Sequence, residues 1–262
     1  MSPDESADPT AGQDVAGPAM PTQYLDELQD SLAGLGKLAT GLLSLEDSLT
    51  RVAEYAVRAI PGAEGAGLTL LEENRPDTIV STADFVARVD DIQYSLGQGP
   101  CLSAVADRQT VISGSLGGDR RWPRFGPRVA RLGVHSVVSL PLITDEGVLG
   151  AMNVYAHGKN AFTPDAGQLG ELFAVPAAIA VQNAQVLAQT KRLASQLQAA
   201  LTSRGVIERA IGIMMSRSGV TEAEALDRLR TLSQHQHEKL PVIAQSIIQE
   251  AVRRAHARRT DR

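Results

Sequence analysis

Cys101 is the single thiol of a 262-residue chain, and it stands directly behind Gly97-Gln98-Gly99-Pro100. A turn that feeds the start of a helix can lower a thiol pKa and make a nucleophile. A cysteine nucleophile also wants a histidine base, and His135 and His157 are the histidines in the same half of the chain. The competing reading is a structural cysteine, because free cysteine is among the most buried residue types. That reading is preferred, since a thiol redox cycle needs a second cysteine to resolve a sulfenate and the chain has none. The lone cysteine also excludes a disulfide framework and a multi-cysteine zinc site. His235 and His237 stand two apart with no supporting ligand cluster and read as surface residues. The chain has no Walker loop, no HExxH and no GxSxG. The glycines between 62 and 67 follow no strand, so a phosphate cradle is not expected. The residues that could do chemistry therefore predict no enzyme, no metal and no cofactor.

Charge points elsewhere. Residues 1–185 hold 12 Lys and Arg against 23 Asp and Glu, a net of −11, and residues 186–262 hold 13 against 7, a net of +6. A basic tail on an acidic body favours an anionic partner for the tail, nucleic acid before membrane. No apolar run is read as approaching the roughly 20 residues that cross a bilayer. The N-terminal MSPDESADPT shows no basic and apolar leader, so a cytoplasmic protein is expected.

The elements that must position these groups follow from periodicity. Residues 1–22 are rich in proline and small residues and are expected to be disordered. Leu25, Leu28, Leu32, Leu35 and Leu38 recur at three- and four-residue steps and predict an N-terminal helix over 23–43, with a break near Gly41. Ser44 with Asp47 opens a second helix that buries Leu45, Leu49, Val52, Ala56 and Ile60 before Pro61-Gly62 stops it. Residues 66–71 and 78–83 read as a strand pair, 84–94 and 101–107 as short helices, and 110–113 as a strand. A loop over 115–118 precedes a helix over 122–132, whose Trp122 and Phe125 read equally as core or ligand contacts. Residues 136–142 and 148–155 alternate as strands about a turn closed by Gly147. This order predicts an α+β domain on an antiparallel sheet.

From Pro164 the pattern is helical over a long stretch, with Thr163 as cap and a kink at Pro176. Val186, Thr190, Leu193, Leu197, Ala200, Arg204, Ile207, Ile211 and Met214 step by four and three. That repeat fits a two-stranded coiled coil, although an amphipathic helix packed on its own domain competes. Gly219 ends the helix, and Thr221 with Glu224 forms a capping box for the next, which buries Ala225, Leu226, Leu229 and Leu232. A polar turn over 233–239 leads to a last helix that buries Ile243, Ala244, Ile247, Ile248 and Val252. Its arginine-rich end also suits the helix dipole.

Two resemblances now carry the reading further. Leu96-Gly97-Gln98-Gly99-Pro100-Cys101, Arg121-Trp122-Pro123-Arg124-Phe125, Ser139-Leu140-Pro141-Leu142 and Val148-Leu149-Gly150-Ala151-Met152-Asn153-Val154-Tyr155 together resemble a GAF domain over residues 44–183. The resemblance implies a sensory domain with a small-molecule ligand or a partner. The stretch from Ala200 through Met215, with Ala225, Leu229, Arg230, Ser233, Lys239, Leu240, Ala244 and Ile248, resembles an ANTAR domain over residues 200–256. That resemblance implies a three-helix unit at the end of a coiled coil, here 184–199, which binds paired RNA hairpin loops and causes transcription antitermination. Residues 257–262 remain as a basic tail. The domain order resembles regulators common in actinobacteria.

On this resemblance the expected partners are RNA and a second copy of the chain. The expected RNA contacts are Ser203, Arg204, Arg209 and Lys239. Arg253, Arg254, Arg258 and Arg259 form an electrostatic fringe. The family often has lysine where Ile211 stands and Asn-Arg-Lys-Leu where His237-Glu238-Lys239-Leu240 stands. Residues 186–262 contain no Phe, Tyr or Trp, so binding would use arginine planes and phosphate contacts and be salt-sensitive. The Ile211 and Glu238 departures keep a second reading open: a dimeric interaction or sensor module that has lost RNA binding.

Overall fold

The computed structural model describes residues 20–38, 43–72 and 75–260. The expected disordered tail up to residue 19, the expected break at Gly41 and the last two residues of the basic tail lie outside the described residues. The chain divides into two compact units, Met1–Leu187 and Ala188–Arg262.

The first unit opens with α1 (Thr22–Lys37) and α2 (Leu45–Ala59). Ser44 caps α2 as its spacing predicts, its Oγ accepting from the Asp47 N–H at 3.1 Å. The strands β1 (Gly65–Glu72), β2 (Arg75–Ser81), β3 (Val111–Ser113), β4 (Ser136–Thr144) and β5 (Gly147–Ala156) form one antiparallel sheet in the order β2-β1-β5-β4-β3. Between β2 and β3 lie α3 (Asp84–Leu96) and α4 (Pro100–Asp107), and between β3 and β4 lies α5 (Gly126–Ala130). The α+β expectation holds.

The strand period sorts the sheet into two faces. Leu68, Leu70, Leu140, Met152 and Val154 pack with α1, α2 and the start of α6 (Pro164–Ser218) in one core. Val137 and Tyr155, neighbours across β4 and β5, face the other way with Val86, Val89, Trp122, Phe125 and Val129. Trp122 and Phe125 are core residues.

Two local expectations are corrected. The helix expected over 122–132 spans only Gly126–Ala130. Pro127 has no N–H and fits the first turn of a helix, so regular helix cannot start far upstream of it. The loop over 115–118 contains a 3₁₀ turn at Leu116–Gly118.

The second unit is built from the end of α6, α7 (Glu222–Gln236) and α8 (Leu240–Thr260). Both legs of the Thr221/Glu224 capping box are present. Ala210, Ile211, Ala225, Leu229, Ile243 and Ala244 are its buried centre, with Ile207, Met214, Leu226, Ile247 and Ile248 packed partly against it. Leu232 and Val252, expected to be buried, are exposed. Three helices of this length enclose a narrow seam, and the ends of their apolar stripes extend beyond it. The polar turn starts later than expected, because α7 continues to Gln236 and His237 closes it at φ 54°.

α6 also corrects the reading of its apolar content. It contains an 18-residue window of mean hydropathy 1.3, of which 28% is buried. Leu169, Phe173, Ala177, Ala178 and Val181 of this helix pack in the first core.

Gly150 faces Leu70 of β1 and Leu142 of β4 beside a register shift, and an added Cβ would stand 1.9 Å from the Thr69 carbonyl oxygen. A backbone atom cannot give way as a side chain can. Gly150→Ala is expected to cost about 3 kcal/mol or more, read as a lowered denaturant midpoint through the Trp122 fluorescence. An unchanged midpoint would contradict this packing.

Candidate functional site

The first unit holds a buried polar cluster on the face of the sheet covered by α3 and α4. Strand alternation turns Thr69 of β1, Ser139 of β4, and Asn153 and Tyr155 of β5 toward it. α3 brings Asp90, Gln93 and Tyr94, because Val86, Val89, Asp90 and Gln93 recur at helical spacing on its buried face. α4 brings Cys101 in its first turn.

The bonds are specific. The Tyr155 hydroxyl donates to Asp90 Oδ1 at 2.8 Å. The Tyr94 hydroxyl donates to Thr69 Oγ1 at 2.7 Å and lies 3.2 Å from Cys101 Sγ. The Cys101 N–H donates to Gln93 Oε1 at 3.0 Å, and Ser139 donates to Asn153 Oδ1 at 2.7 Å. Three buried atoms remain without a bond of normal geometry: Asp90 Oδ2, Gln93 Nε2 and Asn153 Nδ2. The Asn153 amide nevertheless lies close enough to Asp90 and Cys101 to stabilise their anions. Buried unsatisfied groups cost about 1–3 kcal/mol each, so three in one place single out this cluster as the candidate site of the first unit.

Burial pushes the Asp90 carboxyl up to about 7, reinforced by Asp91, while Tyr155 and Asn153 pull it partly back. Burial likewise pushes the Cys101 thiol up to about 11, against the Tyr94 and Asn153 hydrogen bonds. Neither histidine serves the thiol as a base. His157 Nδ1 pairs with Glu64 at 2.5 Å and its ring packs on Phe85, and among the described residues Cys101 is bonded to Tyr94 and Gln93 with no histidine beside it. Cys101 is buried and bonded within the cluster, in keeping with the structural reading that the burial preference of free cysteine favours.

The α3–α4 turn, Gly97-Gln98-Gly99, roofs this cluster. Gly99 packs on the Gln93 side chain so closely that a Cβ would stand 2.2 Å from Oε1. Gln98 points the other way, its Oε1 accepting from the N–H groups of Arg124 and Phe125 at 2.9 and 3.3 Å. Outside the turn lies a cleft of about 530 Å³, lined by Gly97, Gln98, Gly99, Ser103, Arg121 and Trp122. Sequence reasoning singled out Cys101 but missed its polar neighbours. The available signal was Asp90 and Gln93 falling in step with Val86 and Val89.

The residues expected to contact RNA do not form one spot. Arg204 and Arg209 are five residues apart on α6 and so point about 140° apart. Arg204 pairs with Glu208 at 2.8 Å, whereas Arg209 Nε donates to the Gly205 carbonyl at 3.0 Å. Ser203 is half-buried. The Lys239 carbonyl accepts from Val242 and Ile243 where α8 begins, and its exposed side chain makes no ion pair among the described residues. Arg253 and Arg254 stand about 20 Å further along α8, and both pair with Glu250, at 2.9 and 2.5 Å. Exposed pairs of this kind are weak and exchange readily for a phosphate. His235 and His237 are exposed, and no metal-ligand cluster occurs among the described residues.

A family model for the GAF domain matches residues 43–182, more than half of the chain, and the chain belongs to that family. A model for the ANTAR domain matches residues 195–248, so the chain is a signal-responsive regulator of the GAF–ANTAR type. No curated protein matches it. Among solved structures it is similar to the GAF domain of an Acinetobacter phosphoenolpyruvate-protein phosphotransferase, at 15% identity and TM-score 0.47, covering 65% of this chain and 99% of that one. The corresponding Coxiella burnetii domain matches at 14% identity and TM-score 0.48, covering 62% and 96%. The free methionine-R-sulfoxide reductase of Staphylococcus aureus, in its reduced form, matches at 14% and 0.47, covering 62% and 96%.

The buried carboxyl gives a pH dependence with a definite sign. Its folded-state pKa is raised from 3.8 to about 7, so the folded chain holds this proton more tightly than the unfolded chain. The contribution to stability is full below about pH 4 and is lost as pH rises through about 7. Unfolding followed through Trp122 should show stability falling by on the order of 3 kcal/mol between pH 5 and 8. Asp90→Asn should flatten that fall. Parallel curves for the two proteins would contradict it.

Proposed function

We propose that the chain is a cytoplasmic transcription antitermination regulator. The GAF unit senses a small ligand or partner at the polar cluster, and the ANTAR units of a dimer bind paired RNA hairpin loops. The ANTAR match over residues 195–248 carries this reading, and the longer stretch 186–262 that contains it has a net charge of +6. Arg209 and Lys239 are its principal contacts, since neither pairs with an acidic side chain among the described residues. Ser203, Arg204, Arg253 and Arg254 add secondary contacts once their present bonds exchange. With no aromatic residue in this segment, phosphate contacts dominate and affinity falls steeply with salt.

Exposure along α6 supports the dimer. Leu193, Leu197 and Leu201 are 66%, 61% and 57% exposed and four residues apart, an apolar stripe fitted to a second helix. Ligand sensing is supported by the three unsatisfied atoms beneath the α3–α4 turn and by the cleft above it.

One observation favours the alternative, a dimeric interaction module without RNA binding. Ile211, where the family often has lysine, is 7% exposed and belongs to the core of the second unit, so this position offers RNA no charge. The two readings separate in a salt-titrated binding assay with a labelled two-hairpin RNA. Arg209→Ala/Lys239→Ala should weaken binding at least about tenfold, with helix content unchanged by circular dichroism. Tight binding unaffected by both changes would remove these residues from the interface. No binding by the unaltered chain would favour the interaction module.

A further inference from the structure

Residues 108–144 hold six arginines and one acid, a net charge of +5, inside the first 185 residues whose total is −11. Half of the basic residues of that acidic stretch are thus gathered in one segment. Trp122, Phe125 and Val129 point into the core, which leaves Arg120, Arg124, Arg128 and Arg131 exposed. Arg121 differs from them. It pairs with Asp119 at 2.7 Å, donates to the Ile112 carbonyl at 2.7 Å, and lies over the Trp122 ring at 4.3 Å. The segment's one acid is therefore taken up by a framework arginine. The other four make no ion pair among the described residues.

The segment is held in place on both sides. Gln98 clasps the Arg124 and Phe125 N–H groups, and Gly126 lies so close to Leu116 that a Cβ would stand 1.9 Å from its carbonyl oxygen. Four like charges on a fixed frame repel one another, and an anionic partner relieves that repulsion.

We propose that this arginine surface of the GAF unit binds the phosphate backbone of RNA, as a contact separate from those of the ANTAR unit. The inference rests on the RNA reading and extends it to the sensor unit. Arginine forks match phosphate oxygens two at a time and stay charged at every physiological pH. Protein interfaces combine arginine with aromatic hot spots, and the aromatic residues of this segment are buried, so its arginines stand without an aromatic anchor. A polyanion needs only the charge. Gln98 also ties the surface to the turn that roofs the polar cluster, so a change at the cluster would reach the arginines through one side chain.

The test compares the full chain with R124A/R128A/R131A and R124K/R128K/R131K. Arg121 is left intact because it belongs to the frame. Binding of labelled oligouridine and of the two-hairpin RNA is titrated from about 50 to 200 mM salt. Loss of three phosphate contacts should lower the slope of log K against log salt by about 2. The lysine variant should keep the slope, and hairpin preference should survive in both. An unchanged slope in the alanine variant, at unchanged melting temperature, overturns the proposal and leaves an acidic protein surface as the partner. Arg209→Ala/Lys239→Ala reports on the ANTAR reading alone. If only the GAF variant loses slope, the surface stands and those ANTAR contacts fall. If only the ANTAR variant weakens binding, the surface falls. A chain that binds neither RNA ends both readings.

Discussion

One helix has to satisfy two cores. α6 buries Leu169, Phe173, Ala177 and Val181 in the sheet unit and Ala210 and Ile211 in the helical unit. Between them, residues 189–202 are exposed on every side. An isolated helical stretch of that length is marginal in water, because its nucleation cost is met by packing rather than by its own hydrogen bonds. The exposed leucines at 193, 197 and 201 are what the proposed dimer would cover with a second copy of the same helix.

The sensor unit departs from ordinary core packing in one place. Its first face is almost wholly apolar, whereas the face beneath α3 and α4 holds Asp90, Gln93, Asn153 and Tyr155 in full burial. In such a low-dielectric setting a satisfied network stiffens the fold and an unsatisfied one weakens it. Here Tyr155 satisfies half of the Asp90 carboxyl and leaves the other oxygen open. The packing of Gly99 on Gln93 and the outward Gln98 bond connect this imbalance to the surface. A ligand that completed the network would change the position of that turn with little disturbance of the sheet.

Much of this was legible in the sequence, for identifiable reasons. Strand alternation around Gly147 and the Thr221 capping box are local signals, and local signals survive folding. The long a/d repeat was ambiguous for a physical reason. A seven-residue period reports that a helix has an apolar stripe, but not whether the stripe meets a partner copy or the chain's own next helices. Ile207, Ile211 and Met214 turned out to pack in the three-helix unit, while Leu193 and Leu197 stayed exposed. The helix expected over 122–132 is shorter in the structure because Pro127 belongs in its first turn. The polar cluster was missed because an aspartate on a short helix reads as its solvated face. Its step with Val86, Val89 and Gln93 hints at the buried face, and the bond from Tyr155 of β5 fixes Asp90 inward.

The account depends most on a dimer formed along α6 that presents two ANTAR units to one RNA. Sedimentation equilibrium of the full chain, alone and with a two-hairpin RNA, measures this directly. The account predicts two chains in the free protein and two chains per RNA in the complex. A monomer that stays single on the RNA would contradict it, as would a dimer that does not sediment with the RNA at low salt.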